Sequence, residues 1–283
     1  MTSSGTATCT TDTPSPEGNW QPDNLARITT TLRALVDQRP TPAPVAIFDF
    51  DNTCIFRDIG QATFRFQIQH LRYRIRPEEL EVILPQGEGE LAGRSLATIR
   101  SMLVQAYREL WPMIESGQQA QAKQLPVYPL FATLLHWCTD MARKDERFGP
   151  RYVLPFMGKL LAGFTIAEVR QLAVEVVEQV RNEPLSVERF SVGAPAPIGC
   201  IEANSPTGLH PYPEMRDLME RLTAVGVERY VISASTEWLV EGAAPLLGFP
   251  LDAEHIFGIR VRLDASDRLT IDDADGYPTT YRQ

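Results

Sequence analysis

The distance between two short runs of strand character constrains this chain more than any other feature. Val45-Ala46-Ile47-Phe48 is a continuous apolar run, too short for a helix, that ends directly in Asp49-Phe50-Asp51. Such a run is typical of a strand buried on both faces of a parallel sheet. The next comparable run, Arg229–Ser233, comes only after an insertion of about 150 residues, too long for a simple crossover and long enough to pack as its own subdomain.

That insertion, roughly Ile55 to Gly208, has helical apolar periodicity almost throughout. Its clearest helix opens with the capping-box pair Thr165 and Glu168, ahead of Ile166, Val169, Leu172, Val176 and Val180. Upstream of the first strand, Leu25, Ile28, Leu32 and Leu35 give residues Asp23 to Val36 a helical spacing, which the prolines between Pro40 and Pro44 bring to an end. Downstream, a helix starts at Pro213 and stops at Gly226, the strand Arg229–Ser233 follows, and a second helix runs from Thr236 to Gly248. Strand, helix, strand, helix predicts an α/β fold with a parallel sheet. Ile259, Val261 and Leu263, then Leu269 and Ile271, read as a β-hairpin. The expected organisation is a disordered Ser/Thr/Pro-rich tail over 1–22, an α/β core from 23–56 and 209–283, and a helical subdomain over 57–208.

Composition narrows the partners. The formal net charge of -9 argues against affinity for nucleic-acid backbones and in favour of small ligands. The absence of any run of about 18 apolar residues argues against a membrane span. The first residues lack the apolar core of a secretory signal. Cys9, Cys54, Cys138 and Cys200 form no CxxC pair, and a reducing cytoplasm is the expected location. His70, His136, His210 and His255 have no zinc-ligand spacing, and no GxxxxGK[ST] loop is present.

In an open α/β sheet, ligands collect at the carboxyl ends of the strands, which is where Asp49 and Asp51 stand. Carboxylates two residues apart on an extended segment can share a divalent ion. Where the chain curls they take separate tasks, and shared charge pushes their pKa values apart. Phosphoryl transfer by this route needs an anionic nucleophile, a cation and a proton donor. Asp49, a Mg²⁺ held by Asp49 and Asp51, and Asp51 itself supply the three. Thr53 is expected to steady the loop by hydrogen bonding its own backbone. The same Asp-x-Asp-Asn composition also builds ordinary turns and helix caps, so the pattern by itself leaves both readings open.

Residues 45–53 resemble the first motif of the haloacid-dehalogenase superfamily, an apolar strand followed by DxDxT, and the match is complete. Tyr230-Val231-Ile232-Ser233-Ala234-Ser235 resembles the second, an apolar strand ending in Ser or Thr that binds the transferred phosphoryl group. The resemblance implies a Rossmann-like parallel core with a large helical cap inserted after the first strand. It also implies an aspartyl-phosphate on Asp49, acid–base service from Asp51, phosphate contacts from Ser233 and Ala234, and Mg²⁺ as cofactor. The insertion resembles the first cap type of the family, as in the phosphoserine and phosphorylcholine phosphatases. A helix N-terminus just after Ser233 would favour an anion independently. Ser233 and Ser235 also fit a plain helix cap.

The chain departs from the family pattern in its last part. The third motif's Lys has no counterpart after Lys159, and Lys159 lies before the second motif, where it reads as a solvated helix charge. Asp272, Asp273 and Asp275 are the late acidic cluster, read as cation ligands or a solvated loop, and the expectation is a fragment that stops before the remaining motifs. Phe56, Arg57, Asp58, Phe64 and Arg65 would lie at the mouth of the cap. Arg57 suits a substrate carboxylate, while an aromatic face suits a quaternary ammonium, worth about 0.5 to 2 kcal/mol. Phe56 and Phe64 equally suit a core. The expected activity is Mg²⁺-dependent hydrolysis of a small phosphorylated metabolite, such as phosphoserine or phosphocholine. Transfer to a second alcohol, or a non-catalytic or truncated phospho-ligand-binding protein, stand as alternatives.

Overall fold

The computed structural model describes residues 18–38, 40–193 and 198–274. Helix α1 (Pro22–Gln38) leads into strand β1 (Val45–Phe48), and the two-residue strand β2 (Ile55–Phe56) follows the turn that carries the aspartates. The insertion then runs through α2 (Ile59–His70), α3 (Pro77–Ile83), the small ribbon β3 (Glu90–Leu91) and β4 (Arg94–Ser95), α4 (Leu96–Glu115), α5 (Gln119–Ala122), α6 (Val127–Lys144), α7 (Pro150–Lys159) and α8 (Ile166–Val180). It ends in an antiparallel hairpin of β5 (Ser186–Gly193) and β6 (Cys200–Thr207). Strand β7 (His210–Pro211) pairs with β2, and α9 (Pro213–Ala224), β8 (Glu228–Thr236), α10 (Glu237–Ala243) and β9 (Ile256–Ile259) follow. An antiparallel pair of β10 (Val261–Leu263) and β11 (Leu269–Asp273) completes the described chain, as the sequence alternation predicts.

The architecture is mixed α/β on a parallel three-stranded sheet of order β1-β8-β9. Val45 faces Glu228 and Phe48 faces Val231 across the first pair, and Val231 faces Ile256 across the second. The carboxyl ends of β1 and β8 therefore lie side by side, which brings the Asp49 turn next to Ser233.

Local sequence explains the helix that leaves this edge. The Asp58 side chain accepts a hydrogen bond from the Gln61 amide at 2.8 Å, satisfying one of the orphan donors of α2, and Leu71 ends the helix in a left-handed conformation. The Thr165–Glu168 capping box forms at the start of α8 as expected.

Two expectations fail. The hairpin β5–β6 occupies a stretch read as helical: its alternation buries Ile201, Ala203 and Ser205, and with Ile201 the one large apolar side chain among them no clear apolar period is printed. Strand β1 is not buried on both faces either, since Val45 and Ile47 point into solvent. Its apolar run was read by continuity alone, which cannot tell which face lacks a covering layer.

Two apolar clusters form the interior. One joins α3, α4, α6 and α7 to Phe64 and Ile68 of α2 and to β6. The other lies behind the sheet and holds Phe50, Ile55, Val231, Leu239, Val240 and Phe249, together with Val169, Leu172, Val176 and Val180 of α8. Packing thus crosses residue 208, the boundary expected from sequence, because α8 shares its core with the sheet. Among the described residues, no helix is long and apolar enough to cross a membrane.

Candidate active site at the carboxyl edge of the sheet

The turn after β1 is tightly determined. The amides of Cys54 and Ile55 donate to the Phe50 carbonyl at 2.8 and 3.2 Å, and Phe50 itself is fully buried, edge-on to Phe249. Asn52 takes a positive φ of 58°, which asparagine tolerates better than most residues. Its amide donates to the Arg57 carbonyl at 3.1 Å, so the turn closes on itself.

The two aspartates part company in this curl. Asp49 is exposed, and the Thr53 hydroxyl donates to its Oδ2 at 3.0 Å while the Cys54 thiol donates to its backbone carbonyl at 3.2 Å. Thr53 is therefore a support, as expected, but it orients a carboxylate instead of its own backbone. The Cys54 thiol is pushed up to about 12, by burial first and then by the charges of Asp49 and Asp51, so it stays protonated.

Asp51 turns inward. Oδ1 accepts the Ile59 amide at 2.7 Å, and Oδ2 accepts the hydroxyls of Ser233 at 3.0 Å and Ser235 at 2.7 Å. Burial, and next the charge of Asp58, push its carboxyl up to about 8 against the pull of these three hydrogen bonds. The neighbour that raises it is thus Asp58, not the expected Asp49. Asp58 is itself raised, by burial, and its Oδ1 lies 3.5 Å from the Ser235 hydroxyl. A Cβ on Gly60 would come within 2.9 Å of that hydroxyl, so the crowding leaves room only for glycine there without rearrangement.

Ser233 and Asp51, predicted separately on two strands, meet directly. The Ser233 hydroxyl is buried, donating to Asp51 and accepting the Ser235 amide at 3.0 Å, whereas the adjoining Ala234 keeps some exposed surface. Ser235 was missed as a partner of Asp51. Its signal was available, because residues two apart on a strand share a face. Asp58 was named only as an entrance residue, although Asp58-x-x-Gln61 is a readable helix start.

Phe56 and Arg57 stand at the far end of the same turn, Phe56 edge-on to Tyr212 with ring centroids 6.3 Å apart. Arg65 and Phe64 lie elsewhere: Arg65 is buried and pairs with Glu183 and Glu188, and Phe64 packs on His136. Lys159 pairs with Asp273 at 3.1 Å instead of standing solvated. Asp272 and Asp273 belong to strand β11, and Asp275 lies outside the described residues.

Among the described residues, no group of three or more His, Cys, Asp and Glu side chains converges on a metal position. Mg²⁺ commonly takes one or two protein carboxylates beside waters and phosphate oxygens. The exposed Asp49 fits such a shared role. The Asp51 side chain, with both oxygens engaged by donors, does not fit it in this arrangement.

The fold is similar to that of a conserved, functionally unknown protein from Anaerococcus prevotii DSM 20548. The TM-score is 0.73 at 19% sequence identity, over 92% of this chain and 74% of that one. No protein-family model and no curated protein matches the chain. Likeness at that identity shows the fold alone.

Proposed function

We propose that this chain carries the nucleophile and acid–base groups of a haloacid-dehalogenase-type phosphatase that hydrolyses a small phosphomonoester. One observation carries the reading: an exposed carboxylate, Asp49, stands beside a carboxyl, Asp51, whose surroundings keep it protonated near neutral pH. Two acids with opposed environments, at the carboxyl edge of a parallel sheet, are what attack and proton donation require.

Asp49, oriented by Thr53, attacks phosphorus and forms an aspartyl-phosphate. Asp51 gives its proton to the departing alcohol oxygen and, now ionised, takes a proton from the water that cleaves the intermediate. Ser233 and Ser235 hold Asp51 in place, and Ala234 is the member of that segment with surface to offer a phosphate. Mg²⁺ held in part by Asp49 would neutralise charge between the nucleophile and the phosphate. The helices of the insertion would serve as the cap.

Phosphate release by the purified chain, measured with and without Mg²⁺ over a panel of phosphomonoesters, tests the proposal. Asp49→Asn is expected to abolish release. Full Mg²⁺-dependent turnover in that variant would reassign the nucleophile.

A further inference from the structure

Two kinds of substrate end group suit the residues that follow the nucleophile, a carboxylate on Arg57 or a quaternary ammonium on an aromatic face. The geometry separates them. The Arg57 guanidinium lies over the Phe56 ring, 5.1 Å from its centroid, so that aromatic face already holds a cation and a second one would meet like charge.

Arg57 is itself short of acceptors. Its Nη2 donates to the Ser186 carbonyl at 3.3 Å, while its Nε is buried without a partner, and no carboxylate pairs with it among the described residues. A guanidinium offers five N–H donors, and leaving a buried one unmade is costly. The backbone of Arg57 sits at φ 82°, a left-handed conformation that a long side chain rarely adopts. It is held there by the exchange with Asn52: the Arg57 amide donates to Asn52 Oδ1 at 3.3 Å and its carbonyl accepts the Asn52 amide at 3.1 Å. Strain of this kind gathers at ligand-binding positions, and here the exchange ties the Arg57 backbone to the turn that begins at Asp49, while the guanidinium reaches the Phe56 ring and the Ser186 carbonyl of β5.

We infer that Arg57 is the specificity residue of this site, and that the substrate is a phosphomonoester whose other end carries a carboxylate. The guanidinium binds that carboxylate as a charge-assisted pair. The inference rests on the phosphomonoesterase reading, and its test keeps the two apart.

The kinetic arm compares kcat/KM for phosphoglycolate, phosphoethanolamine, phosphocholine and propyl phosphate in the wild type, Arg57→Met, Arg57→Lys and Arg57→Gly. The wild type is expected to favour the carboxylate over the neutral ester by roughly 10- to 100-fold. That ratio should collapse towards one in Arg57→Met and recover in part in Arg57→Lys. Arg57→Gly suits the left-handed backbone, so it should lose the ratio without a lower Tm. Hydrolysis with a preference for phosphocholine, or with an unchanged ratio in the variants, overturns the inference and leaves the phosphatase reading standing.

The binding arm needs no turnover: calorimetric titration of wild type and Arg57→Gly with phosphonoacetate and propylphosphonate. Tighter phosphonoacetate binding that depends on Arg57 supports the inference even if no ester is hydrolysed, in which case only the phosphatase reading falls. Equal binding of the two phosphonates by the wild type overturns it.

Discussion

The two faces of the β1-β8-β9 sheet are built differently. On one face Val231, Ile256, Leu239, Val240 and Phe249 are buried, and α10 packs there with α8 against it. On the other, Val45 is 53% exposed, Ile47 63%, Ile232 46% and Phe257 38%, though a parallel sheet ordinarily has both faces covered. The alternation of β8 assigns the site to one of these environments: Val231, Ser233 and Ser235 are buried together, while Ile232 between them faces solvent. The hydroxyls that grip Asp51 therefore belong to the covered side. Burial, and next the charge of Asp58, push Asp51 up to about 8, and the two hydroxyls that hold it stand on the covered side.

The largest expected effect comes from thinning the covered side where it touches the turn that carries the two aspartates. Phe249→Ala removes a fully buried ring packed edge-on against Phe50, the residue between the two aspartates. The loss should be about 3–5 kcal/mol of stability by chemical denaturation, with activity falling further because the turn loses its anchor. A loss below about 1 kcal/mol would mean that the covered face is not packed as described.

A second prediction concerns charge on the covered side. The folded-state pKa of Asp51 lies above its unfolded value of 3.8, so the native state binds this proton more tightly. Its favourable contribution is full below the unfolded value and is lost as pH rises towards about 8, where burying the ionised form costs stability. Asp51→Asn keeps the shape and removes the charge. Its Tm relative to wild type should therefore be higher at pH 8.5 than at pH 5.5, and the phosphate release proposed above should be lost. A Tm difference that does not change with pH would show that Asp51 is not held protonated.

The sequence made the order of elements legible because Val45–Phe48 and Arg229–Ser233 are compact apolar runs with helix starts and stops around them. It placed Asp49, Asp51, Thr53 and Ser233 at one edge, since strand ends in such a sheet converge. It could not pair them. That Ser235 and Asp58 bear on Asp51 depends on the register between β1 and β8 and on the path of α2, both fixed by contacts far apart in the chain. The hairpin β5–β6 escaped for a related reason: Ala203 and Ser205 are buried by what packs on them, not by their own hydrophobicity.

The smallest expected effect tests the open face. Ile232 lies between Val231 and Ser233 on the same strand, yet nearly half of its surface meets solvent, so Ile232→Ser removes little apolar burial. Its effect on stability should stay within about 0.5–1 kcal/mol, with the pH dependence of Asp51 unchanged. Val231→Ser, one residue away but fully buried, places a hydroxyl in the apolar cluster and should cost several times more. If the two substitutions cost the same, the sheet is covered on both faces in solution and the contrast between them disappears. If only Val231→Ser is costly, the covered face carries the packing of this strand and the open face adds little to it.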